Sequence, residues 1–148
     1  MRARTVLIIA IIAILGAIFA LFKLNSSAQA FVDEAVPRIL KDWSVDTLVG
    51  YSSIPSGKQV SYSLRDQMQD LLNTSRQRLG HFQRCEEAEG RVATMVTLRT
   101  GIRIFGAFSS RCTCEEGNAE VVTTVVLVNG RWRISEFRMR NPLPKVRS

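Results

Sequence analysis

Seventeen consecutive apolar residues, Val6 to Phe22, follow a short basic start, Met1-Arg2-Ala3-Arg4-Thr5. At 1.5 Å per residue such a helix covers roughly 25 Å, the short end of what crosses a bilayer. Thr5 and Leu24 extend it slightly, and Lys23 can snorkel its ammonium toward the headgroups. Two arginines precede the run and no acid occurs before Asp33, so the basic end is expected in the cytoplasm and everything after Lys23 outside.

The run fits two roles. One is an uncleaved anchor. The other is a signal peptide cut after Ala30, because Ala28-Gln29-Ala30 has the small-x-small form of a cleavage site. The run is longer than the usual signal core of about 7–15 residues. Phe31, Val32, Ala35, Val36, Ile39, Leu40 and Trp43 continue at three- and four-residue spacings, as though the helix went on. The anchor is therefore the preferred reading. In either case residues 1–24 form the stub and span, 25–140 an extracytoplasmic domain and 141–148 a basic tail.

Charge and cysteines narrow the function classes. The net charge of +7 is concentrated at the two ends: Arg2, Arg4 and Lys23 at one, and six basic residues from Arg131 onward at the other. Residues 25–130 carry eleven basic and twelve acidic residues. No basic stripe with interleaved aromatics and no recognition motif is present, which argues against a nucleic-acid partner. Cys85, Cys112 and Cys114 lie in the outward part, where disulfides persist. Cys112 and Cys114 share a strand face and are poorly placed to bond each other, so Cys85 can pair with either, or all three remain thiols. The only histidine is His81, and no cysteine–histidine cluster has zinc spacing, so no metal and no cofactor is expected.

Along the chain, Ser26 or Ser27 is a candidate N-cap for a helix reaching Trp43, with a kink or a fresh start at Pro37. Ser44 can cap a short helix, Val45–Tyr51, and Ser52 to Lys58 read as a loop. Leu64, Met68, Leu71, Leu72, Ser75 and Leu79 form a helical stripe, with Ser63 and Asp66 as a capping box and Gly80 as the stop. From Phe82 the period becomes strand-like. A first hairpin turning over between Leu98 and Gly101 opposes positions summing to about 199, which brings Cys85 near Cys112 and Cys114. Asn129-Gly130 marks a second hairpin. Phe137 breaks the alternation set by Trp132 and Ile134. A bulge near Ser135–Glu136 restores Phe137 and Met139 to the Trp132 side and puts Arg131, Arg133, Arg138 and Arg140 on the other.

Helices followed by four antiparallel strands, with Trp43 closing the first helix, Leu79-Gly80 the second, Phe108-x-x-Arg111 leading to Glu116-Gly117-Asn118-Ala119, and a final Gly130-x-Trp132-x-Ile134-x-x-Phe137 strand, resemble the cystatin-like and nuclear transport factor 2-like superfamily. More narrowly, the chain looks like small bacterial proteins that carry one N-terminal span and such a domain outside. The resemblance covers about residues 28–140 and implies an α+β fold: a transmembrane helix, then helices packed on a curved four-stranded antiparallel sheet. Its motifs are packing and turn motifs, and the architecture hosts unrelated activities.

Enzymes of that superfamily place a carboxylate with a tyrosine or histidine in a pocket. Here the sheet from Phe82 to Met139 has no Asp and no Tyr, and no nucleophile lies beside a base, so no catalytic residue is assigned. A small enzyme would need a shifted carboxylate such as Asp42, Asp46 or Glu86 in a cavity. The preferred reading is a non-enzymatic interaction or assembly module, because the sheet has a second apolar face. Phe105, Val122, Val126 and Val128 oppose the inward Val121, Val125 and Leu127, which suits a homodimer or another extracytoplasmic protein. The alternative is a domain binding a small or anionic ligand or a lipid headgroup through Arg103, Arg111, Arg131, Arg133, Arg138 and Arg140.

Overall fold

From Arg2 to Asp42 the backbone is one α-helix, α1, of 41 residues. The computed structural model describes residues 2–53 and 62–140, and side chains except those of 62–64. The expected loop beyond Ser53, the side chains of Ser63 and Leu64 and the basic tail 141–148 lie outside the described residues, while the backbone of Ser63 is already within the helix Tyr62–Leu79 and so does not cap it. Neither Ser26 nor Ser27 starts a helix, because the apolar run is already helical and the backbone continues through both. Nor does Pro37 break the rod. A proline inside a helix costs about 3 kcal/mol. Around it, however, Val32, Ala35, Val36, Ile39 and Leu40 are wholly buried, and each large side chain buried this way contributes about 1.5–3 kcal/mol. Tertiary packing outweighs the local breaker.

α1 stops at Trp43, which takes the left-handed conformation (φ 47°) while only 4 % exposed. Ser44 then caps α2 (Val45–Tyr51), its Oγ accepting the Asp46 N–H at 3.2 Å. α3 (Tyr62–Leu79) is tied to this corner by Gln69. Its amide donates to the Trp43 carbonyl at 3.1 Å and accepts from the Val45 N–H at 3.0 Å. The salt bridge from Arg65 to Asp46 makes a second link. Of the expected stripe on α3, Leu72 and Leu79 are buried, and Met68 and Ser75 are half-buried. Leu71 is a correction: it is 69 % exposed, because α3 stands off from the sheet edge and leaves a groove.

The sheet is antiparallel, open and five-stranded rather than four-stranded. β3 (Gly101–Cys114), β4 (Asn118–Val128) and β5 (Arg131–Arg140) form a meander. The other edge of β3 is shared by β1 (Phe82–Cys85) and β2 (Glu89–Thr97). These two replace the single strand expected there. Cys85 faces Cys112 and Glu89 faces Ser109, so three residues on one side span two on the other, which is a bulge. The break has a cause in α1: the Ala88 N–H leaves the ladder and donates to Asp33 Oδ1 at 2.7 Å. Ser135 is the extra residue of β5, and Trp132, Ile134, Phe137 and Met139 join or flank the core. Asn129 and Gly130 both have positive φ, as a two-residue hairpin turn requires.

The core lies between the second half of α1 and the inner sheet face, around Phe108, Val121 and Val125. Phe108 fits because its neighbour across the ladder is Gly90, where a Cβ would stand 2.8 Å from the ring and 2.0 Å from the Ala107 carbonyl oxygen. Side chains along α1 then fix the sheet against the helix. Asn25 Oδ1 accepts the Val92 N–H at 3.0 Å, Ser27 Oγ accepts the Trp132 indole N–H at 2.9 Å, and Gln29 donates to Glu87 at 3.1 Å.

Candidate functional site

The outer sheet face is assembled by the alternation of β2 to β5. Laterally paired residues place the candidates in rows. Nearest the hairpin turns, Met95 faces Arg103 and Val128 faces Arg131. Next come Ala93, Phe105, Val126 and Arg133, and then Arg91, Ala107, Thr124 and Glu136. Glu89, Ser109, Val122 and Arg138 make the following row, and Arg111, Glu120 and Arg140 the last. Phe105 and Val126, with Ala107 in the next row, thus form an apolar ridge on the middle strands that Thr124 separates from Val122, with charge on the flanks.

Phe105, Val122 and Val126 are half-buried by their strand neighbours, and Val128 is exposed. Met95, Arg103, Phe105, Val126 and Val128, with Ser53, Thr124 and Ser135, line a shallow hollow of about 460 Å³. Ser53 reaches it because its N–H donates to the Ile134 carbonyl at 2.9 Å, tying the end of α2 to β5.

The six arginines divide by neighbourhood. Arg111 and Arg140 flank Glu120 in register, and Arg138 is ion-paired with Glu136. Ser109 Oγ donates to Glu120 Oε1 at 2.8 Å, which orients that carboxylate. Arg103, Arg131 and Arg133 have no acidic partner among the described residues; Arg133 donates instead to the Gly50 carbonyl at 3.0 Å. The uncompensated three lie at the end of the sheet where the hairpin turns are.

Cys85 and Cys112 are disulfide-bonded across β1 and β3, and Cys114 is a free, buried thiol. Burial pushes the Cys114 thiol above its ordinary value, since the thiolate would lose its hydration. His81 sits exposed at the junction of α3 and β1, its backbone N–H directed to Glu115 Oε2 at 3.4 Å. The carboxylates that a small enzyme would call on are separated. Asp42 accepts from Thr47 Oγ1 at 3.0 Å and Asp46 pairs with Arg65, both at the α1–α2 corner. Glu86 lies in the break between β1 and β2, beside a shallow hollow of about 350 Å³ that also touches Glu120 and Arg111. No group of His, Cys, Asp or Glu among the described residues has the arrangement of a metal site.

Two apolar surfaces were not anticipated from sequence. One is the groove between α3 and β5, about 380 Å³, formed by Leu71, Leu72, Met68, Phe137 and Met139. The other is the β2–β3 hairpin tip, where Val96, Leu98 and Ile102 are 73 %, 110 % and 69 % exposed. Its signal was present in the sequence: Leu98 occupies a turn, where polar residues are the rule. Comparisons with models of known protein families, with characterised proteins and with solved structures return no match to this chain.

Proposed function

We propose that this chain is a single-pass membrane protein, with its N terminus in the cytoplasm and its α+β domain in the periplasm or outer space, acting as a non-catalytic interaction or assembly module of cystatin-like or nuclear transport factor 2-like architecture. The observation that carries this is the continuity of α1. One helix is long and apolar enough at its start to cross a membrane, and its second half is the central helix of the domain. Arg2 and Arg4 ahead of the apolar run support the orientation.

The same continuity argues for an anchor over a cleaved signal. A cut after Ala30 would fall inside the helix and remove Asn25, Ser27, Ala28 and Gln29, of which Ala28 is fully buried and the others bond the sheet or the break between β1 and β2. A reporter fused after Ser148 should be active only outside the cytoplasm, and the mature protein should retain its first thirty residues by mass. A cytoplasmic reporter would defeat the orientation, and loss of those residues would defeat the anchor.

Within this reading the partner surface is the Phe105–Val126 ridge, and the partner is a second copy. A half-buried apolar ridge with polar flanks is the form of an interface core and rim. Val126→Asp should convert oligomers to monomers by light scattering of the detergent-solubilised chain, and unchanged oligomers would remove this assignment. The alternative, binding of a small anionic ligand or a lipid headgroup, is favoured by one observation: Arg103, Arg131 and Arg133 cluster without acidic partners.

A further inference from the structure

We propose that the β2–β3 hairpin tip is a second membrane contact, with Val96, Leu98 and Ile102 seated in the lipid at the level where α1 leaves the bilayer. The inference rests on the anchored reading above and goes beyond it. It gives the domain a defined face toward the membrane and identifies the acceptor of the tip as the bilayer itself.

α1 serves as a ruler. Asp33 holds Ala88 and Asn25 holds Val92, so β2 runs antiparallel to the helix. Between these two bonds the strand advances about 13 Å at ~3.3 Å per residue, and the helix about 12 Å at 1.5 Å per residue. The two elements are therefore nearly aligned. Continuing from Val92, Leu98 stands about 20 Å further toward the N-terminal end of α1. On a parallel course that equals roughly thirteen helical residues, deep within the apolar run. Even if divergence halves the advance, Leu98 is level with Phe19, still short of Lys23 where the run has ended. The second hairpin points the same way: Trp132 bonds Ser27, and the Asn129–Gly130 turn two to three residues on comes level with about Ala20 to Lys23.

The tip has the composition for such a place. Val96 and Ile102 face each other across the ladder and are mostly exposed; Leu98 is wholly exposed, and Met95 is 50 % exposed on the outer side. In water this cluster is an apolar patch at a loop tip with nothing over it among the described residues. The depth is limited by the turn itself. Arg99 and the turn amides are not accommodated in hydrocarbon, so the hairpin stops at the headgroup–acyl boundary. There Arg99 can snorkel, and the acid-free arginines Arg103 and Arg131 reach the phosphates. Thr97 and Thr100 bond each other across the turn, and the Thr100 N–H donates to Thr97 Oγ1 at 3.2 Å.

Depth measurement on the full chain tests this. In a Cys114→Ala background with the disulfide intact, an environment-sensitive fluorophore is placed by Leu98→Cys, by Ile14→Cys within the anchor, and by Gln77→Cys on α3 at the far end of the domain. Each protein is reconstituted into vesicles of phosphatidylcholine and phosphatidylglycerol, with a lipid quencher held high or low on the acyl chain. The Leu98 probe is expected to emit at shorter wavelength than the Gln77 probe and to lose intensity to the shallow quencher. The Ile14 probe should lose intensity mainly to the deep one. If Ile14 is quenched while Leu98 behaves like Gln77, the hairpin contact is overturned and the anchor stands. If Ile14 is unquenched, the anchor reading itself has failed. If Leu98 is shielded from aqueous iodide but not reached by either lipid quencher, protein covers the tip and the lipid assignment is wrong.

Discussion

The two halves of α1 are one helix put to two uses. Residues Val6 to Phe22 contain large aliphatic and aromatic side chains, and all of these are exposed: Val6 66 %, Phe19 68 %, Phe22 70 %. Ten to eighteen residues beyond Phe22, Val32, Val36, Ile39 and Leu40 are 0 % exposed. What separates them is polar punctuation. The second half interleaves Asn25 and Ser27, which bond the sheet, with Gln29 and Asp33, which bond the break between β1 and β2. The first half has no polar side chain from Val6 to Phe22 and so no means of registering against a particular surface. Uniform apolarity suits a fluid solvent such as lipid, whereas a protein core needs polar residues at its margins to fix register.

Breaking the contrast is most direct with one charge in each half. Val36→Asp should abolish cooperative thermal unfolding by circular dichroism. An unpaired buried carboxylate costs several kcal/mol, comparable with a domain's whole stability of about 5–15 kcal/mol. Ile11→Asp should leave that transition unchanged and instead reduce the fraction recovered with membranes. Equal effects on both readouts would mean that the halves are not separable.

A smaller loss is expected from the sheet that receives the second half. The Cys85–Cys112 disulfide closes a separation of 27 residues, for which chain entropy gives about 3.5 kcal/mol. Alanine at both positions should lower the denaturant midpoint accordingly without altering membrane recovery. Ser27→Ala tests a single tie near the boundary. It leaves the Trp132 indole N–H unsatisfied, and a loss of about 1 kcal/mol should appear as a modest fall in melting temperature.

Cys114 gives the smallest effect. Its thiol is raised in the folded state, so its contribution is full below the ordinary thiol value of 9.0 and is lost as pH rises past it, where the unfolded chain releases the proton more readily. Stability above that pH should fall less steeply in Cys114→Ala, as followed by denaturant titration across alkaline buffers.

Much of the architecture was legible in local signals. Ser44 as a cap, Gly80 and Asn129-Gly130 with positive φ, and the Ser135 bulge all follow from short-range chemistry that the chain carries in place. Most of the rest turns on tertiary contact. Pro37 looks like a boundary until the sheet is present to bury one side of the helix, whereas Ser26 and Ser27 are passed because the apolar run before them is already helical. The split into β1 and β2 depends on Asp33, a residue fifty-five positions away from its partner Ala88. Of the candidate site, the two-faced pattern of β4 and the arginine side of β5 could be read by alternation alone. Which arginines have acids opposite them depended on register across three strands, and the hairpin tip on its height along α1, and neither is encoded locally.

Trp43 holds a further consequence. A bulky side chain in the left-handed conformation, with its indole N–H buried and without a partner among the described residues, is tolerated only because Gln69 and the core hold the corner shut. A helix of 41 residues that ends in such a locked corner is a lever rather than a tether. On the anchored reading proposed above, a lean that bilayer thickness imposes on the first half of α1 would be passed along the helix to the domain, and lipid composition would then bias which way the sheet looks.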